Sequence, residues 1–217
     1  MRSTALPGAL QTGARVLVRA PRPDDAEEFL ALNQASARHY AGWVSPPVTP
    51  EQFDLYLQQC GRSDFRGFFV CRRDDGHILG VVNLSQIFLG NFRSCYMGYY
   101  VGALHAGRGY MTEGVGLVLR HAFGSLGLHR VEANIQPGNA ASIGLVRRLG
   151  FTLEGYSRRY LKIAGRWRDH ERWAILMEDW RAGAGARGGR EKLPVPPSRR
   201  AGSGPFQPTG GKDDADT

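Results

Sequence analysis

The sequence predicts an α+β domain, a mixed and mostly antiparallel central sheet with helices on both faces. Two observations carry this. Runs of β-branched and aromatic residues bounded by turn signals alternate with stretches whose apolar residues recur at helical spacing. In addition, Tyr99 to Leu126 reads as strand, tight glycine turn, helix: Tyr99, Tyr100 and Val101 favour a strand, Gly107 and Gly109 mark the turn, and Met111, Val115, Val118, Leu119, Ala122 and Leu126 repeat at helical spacing. At 217 residues one domain is the default, and 42% hydrophobic residues can form a sizeable core.

The elements follow in order. Residues 1–14 read as a flexible leader, and Arg15 to Arg19 as a first strand ended by Pro21-Arg22-Pro23. Asp24 or Asp25 caps a helix to about Ala35, with Ala26, Phe29, Leu30 and Asn33 on one stripe. Tyr40 to Pro47 is an aromatic, proline-rich loop. Thr49-Pro50-Glu51-Gln52 then opens a helix to about Cys60, with Thr49 as cap and Pro50 in the first turn. Gly67 to Arg72, His77 to Phe88 and Phe92 to Val101 form three antiparallel strands, joined by turns at Asp74-Asp75-Gly76 and Gly90-Asn91. After the glycine turn and its helix come a strand over His129 to Gln136, a helix over Asn139 to Leu149, a strand over Phe151 to Ala164, a turn at Gly165 and a strand over Trp167 to Met177. The domain is therefore expected over residues 15–181. From Ala182, Gly, Ala, Arg and Pro dominate up to an acidic end, so residues 182–217 read as a disordered tail.

The formal net charge of +8 favours acidic partners: nucleotide phosphates, RNA or a ribonucleoprotein surface. Cys60, Cys71 and Cys95 are odd in number, and no pair has metal-ligand or redox spacing. A disulfide framework and a metal site are thus not expected, and a reducing cytoplasm fits. No stretch is long and apolar enough to span a membrane or serve as a signal peptide.

A glycine turn that opens a helix leaves N–H groups without partners beside the positive end of the helix dipole, which suits a phosphate. Arg108 adds a cation within the turn. Thr112 stands where a dinucleotide fingerprint needs its third glycine, and the Gly-Lys-Ser/Thr of a mononucleotide loop is absent. The segment Ala106-Gly107-Arg108-Gly109-Tyr110-Met111 resembles instead the pyrophosphate loop of the GNAT acetyltransferases, Gln/Arg-x-x-Gly-x-Gly/Ala. Gly109 matches the centre of that pattern, while Ala106 and Met111 depart from its outer positions. Cys95 to Tyr99 before the loop, Asn139 to Ser142, Leu149-Gly150-Phe151 and Glu154-Gly155-Tyr156 after it look like the ribosomal-protein-alanine N-acetyltransferase branch of the family, the RimJ/RimL type. Gly165 to His170 and the strand Val81 to Ser85 look closer to RimJ.

The resemblance implies an acetyl-CoA-dependent N-acetyltransferase without a metal. The thioester would lie beside a splayed strand at Tyr99 to Gly102, with a backbone N–H of Tyr100 or Val101 holding the oxyanion. Ala106, Gly107, Arg108, Gly109, Tyr110 and Met111 would bind pyrophosphate, and Asn139 the pantetheine arm, unless it serves simply as a helix cap. The first two helices and their loop would line the acceptor cleft, bringing Tyr40, Trp43 and Phe53 toward substrate if they are not core or lid. Relatives often carry a Glu and a Tyr where this chain has Asn134 and Val146, and the Glu of the RimL type is here Leu161. Ser142 matches a serine that would protonate the leaving thiolate. The base would then be a water held by Asn134, Asp169 or a backbone carbonyl. Asp169 is also the candidate anchor for the acceptor's ammonium, against the alternative of an ion pair with Arg166, Arg168 or Arg172. A protein α-amine has a pKa of about 7.7–8.0, so a useful fraction is neutral near neutrality without a strong base.

The expected acceptor is the N-terminal α-amine, Ala or Ser, of a ribosomal or other protein. Transient ribosome or RNA contact would run through the basic surface and tail. Two other functions stay open: a small-amine acetyltransferase of the same fold, and a non-catalytic RNA- or ribosome-associated module.

Overall fold

The structure, a computed structural model, describes residues 8–186. Eight strands form one sheet: β1 Ala9–Thr12, β2 Val16–Arg19, β3 Phe65–Arg72, β4 Ile78–Phe88, β5 Ser94–Val101, β6 Arg130–Ile135, β7 Thr152–Ile163 and β8 Arg166–Leu176. Their order in the sheet is β1-β2-β3-β4-β5-β6-β8-β7. Every pairing is antiparallel except β5 with β6. The helices are α1 Ala26–Ala35, α2 Ala37–Tyr40, α3 Pro50–Cys60, α4 Tyr110–Gly124, α5 Ala140–Leu149 and α6 Met177–Ala186.

Sequence chemistry accounts for most boundaries. At α3, Gln52 N donates to Thr49 Oγ1 while Gln52 Oε1 accepts from Thr49 N, with Pro50 in the first turn. The β3–β4 hairpin turns at Asp74 to Gly76, where Gly76 N donates to the Arg72 carbonyl at 2.9 Å. The stripe of α4 faces the sheet as its spacing predicts: Met111, Val115, Val118, Leu119 and Ala122 are buried.

Each face of the sheet has its own core. On one, α4 and α5 pack Val115, Val118, Leu145 and Val146 against Val16, Val70, Val82, Val131 and Trp173. On the other, α1 and α3 cover β2 to β4 with a cluster of aromatic rings, in which Phe29 lies 5.0 Å from both Phe53 and Phe69 between ring centroids. Phe53 thus belongs to the core. Among the described residues, the half of this second face carried by β6, β8 and β7 has no buried cluster of its own.

Three expectations need correction. Residues 1–14 are not all leader, because Ala9–Thr12 pairs with β2 through Ala9↔Arg19 and Thr12↔Leu17. Ala-Leu-Gln-Thr has no run of β-branched or aromatic residues, and backbone bonding rather than side-chain pattern holds this edge strand. Tyr40 does not begin a loop but closes α2. The tail does not begin at Ala182, since α6 continues to Ala186, anchored where Trp180 meets Phe123 with ring centroids 6.4 Å apart. The rest of the predicted tail, residues 187–217, lies outside the described residues, as do residues 1–7 of the leader.

Candidate active site

The single parallel pairing shapes the site. β5 and β6 are in register only at Ser94↔Arg130, Cys95↔Val131 and Tyr96↔Glu132, and then part. Between them opens a cleft of about 910 Å³, floored by Met97 to Val101 and Ala133 to Gln136. Gly102 N donates to the Leu79 carbonyl at 2.9 Å. Strand alternation therefore turns the Tyr100 N–H toward β4 as well and leaves the N–H groups of Val101 and Tyr99 facing the parting. Of the two backbone donors expected there, Val101 is the one so placed, and Tyr100 contributes its ring.

The glycine turn closes one end. Ala106, Gly107, Gly109, Tyr110 and Met111 all line the cleft. Gly109, at φ +79°, sits immediately before α4 in the left-handed region. The first bond into α4 runs from Glu113 N to the Gly109 carbonyl, so the N–H groups of the preceding turn have no partner within the helix. Met111 does not crowd this start, because its side chain is buried beneath the loop beside Gly80. Arg108 departs from expectation. It is not among the cleft residues, and its carbonyl accepts from Arg15 Nη1 at 3.0 Å. Arg15 also lies over the Tyr110 ring, 5.0 Å from its centroid, and Glu113 accepts from the Arg15 backbone N–H at 2.8 Å. Glu113 thereby ties the first turn of α4 to the start of β2.

On the far wall, Asn139 caps α5: its Oδ1 accepts from Ser142 N at 3.1 Å. The Ser142 carbonyl accepts from the Tyr99 hydroxyl at 3.2 Å, which pins the helix start to β5. Asn139 and Ser142 both face the cleft. Asn134 does too, and its buried Oδ1 has no hydrogen-bond partner. Val146 is wholly buried in the core and Leu161 lines the cleft; neither can move a proton.

A roof comes from the stretch after α2. Tyr40, 4% exposed, packs edge-on against Tyr100 with centroids 5.3 Å apart. Trp43 reaches over to Gly138, and Gln136 Nε2 donates to the Gly42 carbonyl at 2.9 Å. Trp43 and Tyr40 therefore line the cleft as the sequence suggested, while Phe53 does not. A second cavity of about 310 Å³ adjoins it, sharing Val44 and Tyr100 and walled by Pro46, Pro47, Leu55, Tyr56 and Phe65.

Asp169 is not brought to the cleft. On β8 it alternates with His170 and points to the opposite face. There it accepts from the Tyr156 hydroxyl and from Arg159 N, both at 2.7 Å. The Tyr156 hydroxyl first, and the Arg159 N–H next, hold its carboxyl below the ordinary range. Arg159, at φ +48°, lies within the β7 bulge between Ser157 and Leu161, so Asp169 braces that bulge. The ion pair with Arg166, Arg168 or Arg172 is not formed. Residues that sequence reasoning missed include His170, Arg148 and Gln136, all cleft-lining.

A sheet parted beside a glycine turn and a helix start is an acyl-CoA-binding architecture, and the comparisons agree. The model of the Acetyltransferase (GNAT) domain matches residues 15–152. The chain belongs to the GNAT acetyltransferase family and is an acetyl-CoA-dependent acetyltransferase. It is 33% identical over 176 residues to the probable N-acetyltransferase YjcK of Bacillus subtilis, covering 77% of this chain and 97% of that one. It is 41% identical over 110 residues to the [ribosomal protein uS5]-alanine N-acetyltransferase of Escherichia coli, a match spanning 51% of this chain and 57% of the relative. Among solved structures, Mycobacterium smegmatis RimJ in complex with CoA-disulfide superposes with a TM-score of 0.72 at 26% identity, covering 80% of this chain and 89% of that one. A spermidine N-acetyltransferase from Vibrio cholerae, with a TM-score of 0.67 at 22% identity over 77% of this chain and 99% of that one, shares the fold. Among the described residues, no helix is long and apolar enough to cross a membrane.

Proposed function

We propose that this acetyltransferase acetylates the N-terminal α-amine of a protein, with Ala or Ser first, and that ribosomal proteins are the substrate class. One observation carries the reading: among the described residues, no Asp or Glu lines either the main cleft or the cavity beside it. A polyamine carries several ammonium groups and needs carboxylates along its path. An α-amine carries one charge at most and loses it near neutrality. The adjoining cavity is walled by Val44, two prolines and Leu55, which suits peptide side chains. The alanine N-acetyltransferase relative of Escherichia coli supports the same acceptor.

In this reading the glycine turn takes the pyrophosphate of acetyl-CoA, and the edge of β5 and Asn139 take the pantetheine arm. That the mycobacterial relative is in complex with CoA-disulfide supports a ligand of this kind. The thioester carbonyl lies at the Val101 N–H, which stabilises the oxyanion as the amine attacks. Ser142 donates a proton to the departing thiolate.

Thiol release from acetyl-CoA tests the acceptor with peptides beginning Ala, Ser, Met or Pro, set against spermidine and an N-terminally blocked lysine peptide. Ala- and Ser-initiated peptides should give the highest kcat/KM. A higher kcat/KM for spermidine would overturn the reading and favour the small-amine acceptor.

A further inference from the structure

We propose that His170 is the group that takes the proton from the attacking amine. The ring is 3% exposed and lines the cleft. It lies on the sheet face shared with Asn134, because Asn134 pairs with Arg172 and His170 alternates in phase with Arg172 along β8. That face is the one reached from beneath the Tyr40–Trp43 roof. His170 Nδ1 lies 3.0 Å from the Arg168 carbonyl oxygen. A carbonyl only accepts, so Nδ1 carries the hydrogen, and the neutral ring keeps its lone pair on Nε2. Among the described residues Nε2 has no hydrogen-bond partner, and the residue lines the cleft. The Tyr160 ring meets the imidazole edge-on with centroids 6.1 Å apart, which fixes its plane.

Burial, not the charge around it, favours the neutral ring. On β8 its neighbours are Arg168, Asp169, Glu171 and Arg172. On β7 they are Tyr160 and Arg159, whose backbone N–H Asp169 holds. On β6 the facing groups are the amides of Asn134 and Gln136, and on β5 Tyr96 bonds to Tyr160. Burial lowers the basicity of the imidazole, outweighing smaller opposite effects of the Arg168 carbonyl and Asp169. Two other histidines line the cleft. His105 belongs to the cofactor end, near Arg108 and Arg72, and His39 is exposed on α2 with no anchoring hydrogen bond.

The step balances with the groups present. The amine nitrogen attacks the thioester carbon, a C–N bond forms, and the carbonyl electron pair moves to oxygen. The amine proton passes to His170 Nε2. When the oxyanion collapses, the C–S bond breaks and the thiolate takes a proton from Ser142, which the imidazolium or solvent replenishes. The products are the amide and CoA thiol.

This inference rests on the proposed acetyl transfer but not on a particular acceptor. His170→Gln should be assayed beside the wild type from about pH 5.5 to 9, with whichever amine the wild type acetylates best. The wild-type kcat should rise on a limb below the ordinary histidine pKa and then level. The variant should lose about 10²-fold at neutral pH and lose that limb, its rate climbing with hydroxide instead. Acetyl-CoA binding by calorimetry should stay unchanged. A kcat within about threefold of wild type, or the same limb in the variant, would overturn the proposal. If the variant does not fold, ¹⁵N spectra of histidine-labelled wild type decide: an Nε2–H tautomer at His170 overturns it, and an Nδ1–H tautomer upholds it. A wild type that acetylates only small amines would refute the protein acceptor and leave this test intact.

Discussion

Met111 Sδ lies 2.8 Å from where a Cβ on Gly80 would stand. The bulky residue in the glycine turn thus has its counterpart one strand away. The same Cβ would come within 2.5 Å of the Tyr100 carbonyl and 3.1 Å of Val101 Cα, atoms that cannot swing aside. Gly80→Ala should therefore destabilise the fold by about 1–3 kcal/mol and displace the cleft edge of β5, raising the KM for acetyl-CoA. Adding Met111→Ala should restore only part of the stability, because the backbone clash persists. Melting curves on both single variants and the double variant check this.

The two glycines of the turn should differ in effect. Both have positive φ, +72° at Gly107 and +79° at Gly109, so any L residue costs about 1–2 kcal/mol at either. A Cβ at Gly107 meets nothing within 4 Å, whereas one at Gly109 comes 3.1 Å from Arg15 Nη2. Gly109→Val should push Arg15 off Tyr110 and weaken acetyl-CoA binding about tenfold or more. Gly107→Ala should weaken it less, and Arg108→Ala, whose side chain is outside the cleft, least. Calorimetry gives the ranking.

Asn139 and Ser142 should separate by what they change. Asn139→Ala removes the cap of α5 and should lower stability by about 0.5–2 kcal/mol, together with acetyl-CoA affinity. Ser142→Ala leaves the Asn139 bond to its N–H intact. It should lower kcat by about 10²-fold or more with acetyl-CoA affinity preserved. Steady-state kinetics paired with thermal melts tell the two apart.

Asp169→Asn should leave kcat/KM near the wild-type value and lower the melting temperature. The native carboxyl is held below its ordinary pKa, so the stabilisation it adds is present above the unfolded pKa of about 3.9 and is lost as pH falls through the native value. The melting difference between variant and wild type should therefore be full at neutral pH and vanish in strong acid. A fall in kcat/KM without a change in melting would reverse this assignment.

Much of the scaffold was legible because it rests on local chemistry: the Thr49–Gln52 capping box, the Asp74 to Gly76 turn, the period of α4 and the Asn139 cap. The faces of β8 were not. Arg166 to Arg172 carries polar groups at almost every position, so period two says nothing of which face is buried. Asp169 and His170 are adjacent, and only the register with β6 and the bulge in β7 decide that the histidine faces the cleft. β1 and α6 were hidden for other reasons: β1 is held by backbone pairing with the neighbouring β2 and carries no strand-forming pattern, and α6 is held by the contact of Trp180 with the distant Phe123.

The parting of β5 from β6 has a consequence for the life of the chain. It places two unsatisfied strand edges in the middle of a sheet, where other proteins keep them at the rim. In the proposed binding mode a pantetheine arm laid along Val101 would act as a missing rung, so CoA should stabilise the fold as well as react. If the proposed binding mode holds, chain purified away from CoA should self-associate more readily than chain kept with it.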